Sequence, residues 1–186
     1  MVLEIIVWVD CCFIIMQLDI KEQSLILEGK KYSRKELMSL SANATGDNTS
    51  SFLLDLYRFL ADWFSDSPFM TVHTSGSTGT PKVLTVRKEQ MMQSARMTCE
   101  FLNLHTGDTA LLCMPLQYIA GKMMVVRALV AGLNLILRTP SGHPLADVTV
   151  PLRFVAMVPL QVFNTLQVLR EKERLCHTDI LIIGGG

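Results

Sequence analysis

Short runs of β-branched and aliphatic residues alternate along this chain with longer stretches in which apolar positions recur every three or four residues. That alternation predicts crossover units, hence an α/β fold with a mainly parallel sheet flanked by helices. Leu25, Ile26 and Leu27 are followed by a turn at Glu28, Gly29 and Lys30 and then by Tyr32, which predicts a hairpin. Ser33 and Glu36 have the spacing of a capping box that opens a short helix. Residues 41–51 are all small or polar and read as a loop whose last serines cap an amphipathic helix over 52–64. Strands are expected at 69–74 and 82–86, with a helix over 88–103 marked by Met91, Met92, Ala95, Cys99 and Leu102. Strand, helix and strand recur at 109–114, 121–130 and 134–138, and again at 153–158, 160–173 and 179–183; a loop over 140–144 contains Ser141, Gly142 and His143.

Composition narrows the class. Apolar residues make up 49% of 186, enough for one well-buried domain. Seventeen basic and seventeen acidic side chains cancel, so no global field draws nucleic acid or an anionic membrane surface. Any anion must be held locally. The cysteines (Cys11, Cys12, Cys99, Cys113, Cys176) are odd in number and lack C-x-x-C spacing, which disfavours a disulfide framework or structural zinc and predicts a reducing, cytoplasmic setting. Residues 1–16 are apolar except for Glu4 and Asp10, without the basic start of a secretory signal, and are shorter than the ~20 residues of a spanning helix. Residues 1–15 are therefore expected to be a doubtful extension with Met16 as the true start. A buried strand from Ile5 to Val9 is the rival reading, and a membrane anchor ranks third. No stable membrane insertion is expected. The last apolar strand runs straight into Gly184-Gly185-Gly186, which predicts a truncated polypeptide.

The chemistry concentrates in the loop between the expected strands at 69–74 and 82–86. Thr74, Ser75, Gly76, Ser77, Thr78, Gly79, Thr80, Pro81 and Lys82 combine hydroxyls, two glycines, a stiffening proline and one cation. Hydroxyls and backbone N–H groups solvate phosphate oxygens, glycine lets the backbone approach, and lysine offsets charge. A Walker A loop would need glycine where Pro81 stands and serine or threonine where Val83 stands, so ordinary P-loop chemistry is disfavoured. The bland alternative is a flexible Ser/Gly linker.

Read in order, 74–82 resembles at every position the signature T-S-G-S/T-T-G-x-P-K of the adenylate-forming superfamily of acyl-CoA synthetases, luciferases and peptide adenylation domains. The resemblance implies a two-step reaction: a carboxylate and ATP give an acyl-adenylate and pyrophosphate, and a thiol then displaces AMP. It implies ATP, Mg2+ and CoA as co-substrates, a small carboxylic acid as partner, and contact of Thr74, Ser75, Gly76, Ser77, Thr78, Gly79 and Lys82 with the ATP phosphates. The glycines Gly184, Gly185 and Gly186 resemble the turn beside the adenylate, though a plain turn would look the same. On this reading 16–186 is an incomplete N-terminal AMP-binding domain, with the rest of it and a small C-terminal domain absent. The chain would carry no catalytic residue of its own and be inactive.

The segment from Met114 to Gly121 resembles the family's Pro-Leu-x-His motif, with Tyr118 where the histidine stands. A gating ring carries over and an acid/base role does not; a packing tyrosine is the alternative. In o-succinylbenzoate-CoA ligases of menaquinone synthesis this segment is similar, and an arginine six residues past its glycine helps hold the substrate carboxylate. Gly121 and Arg127 keep that spacing, while Ala120 replaces a serine. Lys122 is a second candidate cation, about 140° from Arg127 on an ideal helix. A snorkelling arginine and an exposed lysine are the alternatives. Val158-Pro159-Leu160-Gln161 also resembles that subgroup, although a strand ending at a helix-starting proline would read alike. The expected substrate set is thus Tyr118, Gly121, Lys122 and Arg127, with metal ligands unknown. Another aryl- or acyl-CoA ligase and a noncatalytic nucleotide-binding module remain the alternatives.

Overall fold

A computed structural model describes residues 19–44, 50–74 and 82–184. The expectations for residues 1–16, Cys11 and Cys12 among them, lie outside the described residues. The main sheet has six strands in the order β2-β1-β6-β5-β7-β8, where β1 is Ser24–Leu27, β2 Lys30–Ser33, β5 Thr109–Leu112, β6 Asn134–Leu137, β7 Phe154–Met157 and β8 Ile180–Ile183. Within this sheet only β1 and β2 pair antiparallel; every other pair is parallel. The expected largely parallel sheet is therefore present. The expected capping box is also there: the Ser33 hydroxyl accepts from the Glu36 N–H, and the Glu36 carboxylate accepts from the Ser33 N–H at 2.8 Å, opening α1 (Arg34–Asn43). Ser50 caps α2 (Ser51–Phe64) through the Leu53 N–H, as the polar run ahead of it predicts.

The turn between β1 and β2 places both Glu28 (φ 47°) and Gly29 (φ 82°) in the left-handed region, the signature of a tight primed hairpin turn. Glycine does this freely, whereas glutamate needs compensation. Glu28 finds it by donating its N–H to Leu135 O and by accepting the Leu137 N–H on its carboxylate at 2.7 Å, so the strained turn is sewn to β6.

Successive residues of the central strands face opposite sides, and each side has its own core. Ala110, Leu112, Leu135, Phe154 and Ala156 join the larger core with α2, α3 (Lys88–Phe101) and α4 (Ile119–Ala131). Leu111, Cys113, Ile136, Val155 and Met157 join Leu145, Val148 and Leu152 on the other side, where Val162 and Leu175 pack. The chain leaves β5 through α4 towards β6 on one side, and leaves β7 through α5 (Pro159–Gln167) and α6 (Leu169–Cys176) towards β8 on the other. Strand order therefore reverses between β5 and β7. In open α/β sheets the carboxyl ends of the strands at such a reversal form the crevice where ligands bind.

One feature departs from the sequence expectation, and two others lie beyond it. The expected helix over 160–173 is broken at Val168, whose extended backbone (φ −111°, ψ 114°) separates α5 from α6. The strands around the hydroxyl-rich loop, β3 (Phe69–Thr74) and β4 (Lys82–Arg87), pair with each other and form a separate two-stranded antiparallel sheet. Helix α5 is also turned inside out: it buries Gln161 and Thr165 and leaves Leu160, Phe163 and Leu166 exposed.

Candidate functional site

Residues 75–81, and Gly185 and Gly186, lie outside the described residues, so the phosphate-loop expectation there is placed only by its flanks. Thr74 pairs with Lys82 at the loop end of the β3–β4 hairpin, so the two flanks of the loop meet at a single register position. The hairpin is held at several levels. At its base, the buried Lys88 donates its ammonium to Ser65 O (2.9 Å) and Ser65 Oγ (3.2 Å), while its N–H reaches Pro68 O at 2.9 Å. Midway, the Lys122 ammonium donates to Thr71 O at 2.6 Å. Nearer the loop, His73 forms a parallel backbone bridge with Tyr118. Burial pulls both lysine pKa values down, and Asp62 pulls each part of the way back.

These contacts place the expected substrate residues. Lys122 turns to the hairpin, on a different surface from Arg127, as the helical angle between them requires. Tyr118 meets the hairpin through its backbone and precedes α4 as its cap residue. Gly121 has a packing reason: a Cβ there would fall 2.4 Å from Pro115 O and 2.9 Å from Met114 O. Only glycine lets α4 start this close to the segment that leaves β5.

Arg127 lies elsewhere, in a cavity of about 230 Å³ lined by Met114, Ile119, Met123, Ala156, Met157 and Gly184, among others. The cavity sits at the carboxyl ends of β5, β7 and β8, at the reversal of strand order. The sequence resemblance gives Arg127 to the substrate and Gly184 to the adenylate, and both residues line this cavity. The arginine is only weakly satisfied. Its Nη1 meets Met124 Sδ at 3.8 Å, and its buried Nε finds no hydrogen-bond partner among the described residues. Burial draws its pKa down, the signature of a cation short of water and of a counter-anion. Such a group next to an apolar cavity can hold a carboxylate that arrives from outside.

Sequence reasoning misses Lys88 and Glu171, and it reads Gln161 as part of a motif without giving it a role. The helix-starting lysine carries no local sign of burial, yet only 2% of it is exposed. Buried Gln161 donates its amide to Cys113 O (3.1 Å) and Ser141 O (2.9 Å), and its Oε1 accepts from the Val158 N–H (3.1 Å). Its signal is the Pro-x-Gln spacing at the start of a helix. Glu171 is buried on α6 and meets His143 Nδ1 at 2.9 Å, which fixes the 140–144 loop. Among the described residues no group of three His, Cys, Asp or Glu side chains could hold a metal ion, and no helix is long and apolar enough to cross a membrane.

Known proteins place this architecture. The chain is 33% identical to a solved acyl-CoA synthetase (AMP-forming)/AMP-acid ligase II-like protein of Dyadobacter fermentans, with a TM-score of 0.69, over 80% of this chain and 43% of that one. ATP-bound MatB of Rhodopseudomonas palustris shares the fold at 18% identity and a TM-score of 0.53, over 62% of this chain and 24% of that one. A curated relative, the 2-succinylbenzoate–CoA ligase of Haemophilus influenzae, is 28% identical over 133 residues, which are 72% of this chain and 28% of that protein. The chain thus spans less than half the length of each of these relatives. The model of the AMP-binding enzyme family matches residues 9–179, nearly the whole chain, and with the parallel sheet and its crevice this establishes that the chain belongs to the AMP-binding enzyme family.

Proposed function

We propose that this chain supplies the nucleotide- and acid-binding part of an ATP-dependent acid–CoA ligase, and that the acid is o-succinylbenzoate. The observation that carries the reading is the place of Arg127, a partly buried cation whose Nε has no partner among the described residues, on the wall of an apolar cavity at the strand-order reversal. A dicarboxylate meets that need: one carboxylate rests against the guanidinium while the other is activated. The acid carboxylate attacks the α-phosphorus of ATP, forming the acyl-phosphate bond and releasing pyrophosphate. The CoA thiol then attacks the acyl carbon, loses its proton and displaces AMP. In this reading Thr74, Ser75, Gly76, Ser77, Thr78, Gly79 and Lys82 hold the phosphates, the glycines from Gly184 onward border the adenylate, Tyr118 and Gly121 shape the entry to the acid site, and Lys122 holds the hairpin that carries the phosphate loop. Mg2+ would be held by the phosphates of ATP rather than by a set of protein ligands and would offset their charge. The name and 28% identity of the Haemophilus relative support the choice of acid.

A second reading, another aryl- or acyl-CoA ligase, is favoured by Ala120 and Tyr118, which replace the serine and histidine of the o-succinylbenzoate pattern, and by the Dyadobacter relative's name. The test uses the complete ligase that contains this chain, with pyrophosphate release measured against several acids. Lys82→Ala should raise the KM for ATP more than that for the acid. Arg127→Leu should lower kcat/KM for o-succinylbenzoate by roughly ten- to a hundredfold, the loss of one charge-assisted hydrogen bond, and leave the KM for ATP unchanged. A wild-type enzyme that ligates a monocarboxylate and ignores o-succinylbenzoate replaces the first reading with the second. No pyrophosphate release with any acid leaves a noncatalytic nucleotide-binding module.

A further inference from the structure

Three neighbouring parallel strands deliver their carboxyl ends to the crevice, and one side chain reaches the backbone just beyond each of them. Cys113 comes directly after β5, Ser141 lies in the segment after β6, and Val158 comes directly after β7. The Gln161 amide bonds to all three, at 3.1, 2.9 and 3.1 Å, and only 6% of the residue is exposed. No other common side chain of this length offers two donors and an acceptor on one rigid plane. The residues next to two of those partners, Met114 and Met157, form walls of the Arg127 cavity, whereas Gln161 itself approaches from the opposite side of the sheet, where α5 packs. A helix that buries this amide must turn its apolar residues outward, which accounts for the exposed Leu160, Phe163 and Leu166.

We propose that Gln161 is a positioning residue for the acid: by tying the ends of β5, β6 and β7 it sets the spacing of Met114 and Met157, and with it the width of the pocket in front of Arg127. This rests on the ligase reading above. The informative variant is Gln161→Glu, which keeps the shape and the acceptor for Val158 but puts a carboxylate against two carbonyl oxygens. Burial and those oxygens raise the pKa of such a carboxyl, and its protonated form restores one donor.

Two arms test the proposal. In the complete ligase, Gln161→Glu should raise the KM for the acid about tenfold at pH ~8 with the KM for ATP and kcat nearly unchanged, and the defect should shrink as the pH is lowered. In the 186-residue chain, amide exchange should speed up at 113–118 and 139–144 in Gln161→Glu and Gln161→Met, while the hairpin and α3 keep their protection. Equal rises in both KM values, a defect insensitive to pH, or unaltered exchange at those two segments would each overturn it. If the wild-type ligase turns over no acid, the ligase reading and the acid-positioning role fall together, and the exchange arm still decides whether Gln161 ties the strand ends.

Discussion

Arg127 places a guanidinium where the rest of α4 is built for a core: Met123, Met124, Val125, Val126, Ala128 and Leu129 are all buried around it. Without an anion that arrangement costs stability, because the Nε is out of water and has no partner among the described residues. Arg127→Leu should therefore raise the melting temperature of the isolated chain, by a few degrees if about 1 kcal/mol is recovered, while on the proposed reading the same change weakens use of the acid. A lower melting temperature, followed by calorimetry or circular dichroism, would instead make Arg127 a structural residue. The cysteines give a second residue-level test. Burial pushes the Cys113 thiol up to about 12 and raises that of buried Cys99, while Cys176 is exposed. Since the thiolate is the reactive form, iodoacetamide at pH ~8 should label Cys176 and spare Cys99 and Cys113 until the chain unfolds. Peptide mass spectrometry reads the difference.

The hairpin β3–β4 shows what a local pattern reveals and where it stops. Both strands are legible from their β-branched residues and the Ser/Gly loop between them, as are the Ser33 capping box and the helix over 88–103. That these strands pair with each other outside the main sheet depends on tertiary partners with no trace in the local sequence. The same holds for the break at Val168, where neither glycine nor proline stands and where the change of direction brings Glu171 to His143. At the site, Arg127 is legible because a charge interrupts an apolar helix. Lys122 reads from sequence as a substrate cation, whereas its observed partner is the Thr71 carbonyl, a contact 51 positions away. Lys88 tests how the hairpin base is fixed. Its pKa is lowered from 10.5, chiefly by burial, so the unfolded chain binds its proton more tightly than the folded one. Stability contributed by Lys88 therefore increases as pH rises from the lowered folded value towards 10.5 and is constant outside that window. Lys88→Met should cost about 1–3 kcal/mol by leaving the Ser65 carbonyl unpaired, and the gap to wild type should widen in alkaline urea titrations. A gap that narrows with rising pH would show that Lys88 is held by its charge.

At the scale of the whole molecule, the reversal of strand order brings together groups far apart in sequence: Met114 after β5, Arg127 on α4, Met157 at the end of β7 and Gly184 after β8. The fold class can be read from alternating periodicity, but strand order cannot, because parallel pairing is set by which faces of β5, β6 and β7 find cover. The inverted helix α5 has a consequence for how the protein behaves in bulk. Leu160 and Phe163 are more than 60% exposed, and Leu166 lies on the same side. Apolar contact of this kind weakens on cooling and strengthens in sulfate. Light scattering from concentrated solutions should therefore rise on warming from about 5 to 30 °C and on adding ammonium sulfate, well below the melting transition. Phe163→Glu should flatten both responses and leave the melting temperature unchanged, since the side chain it replaces already lies in water. The chain would thus be easiest to keep dispersed in the cold and at low salt, a storage rule set by the orientation of one nine-residue helix.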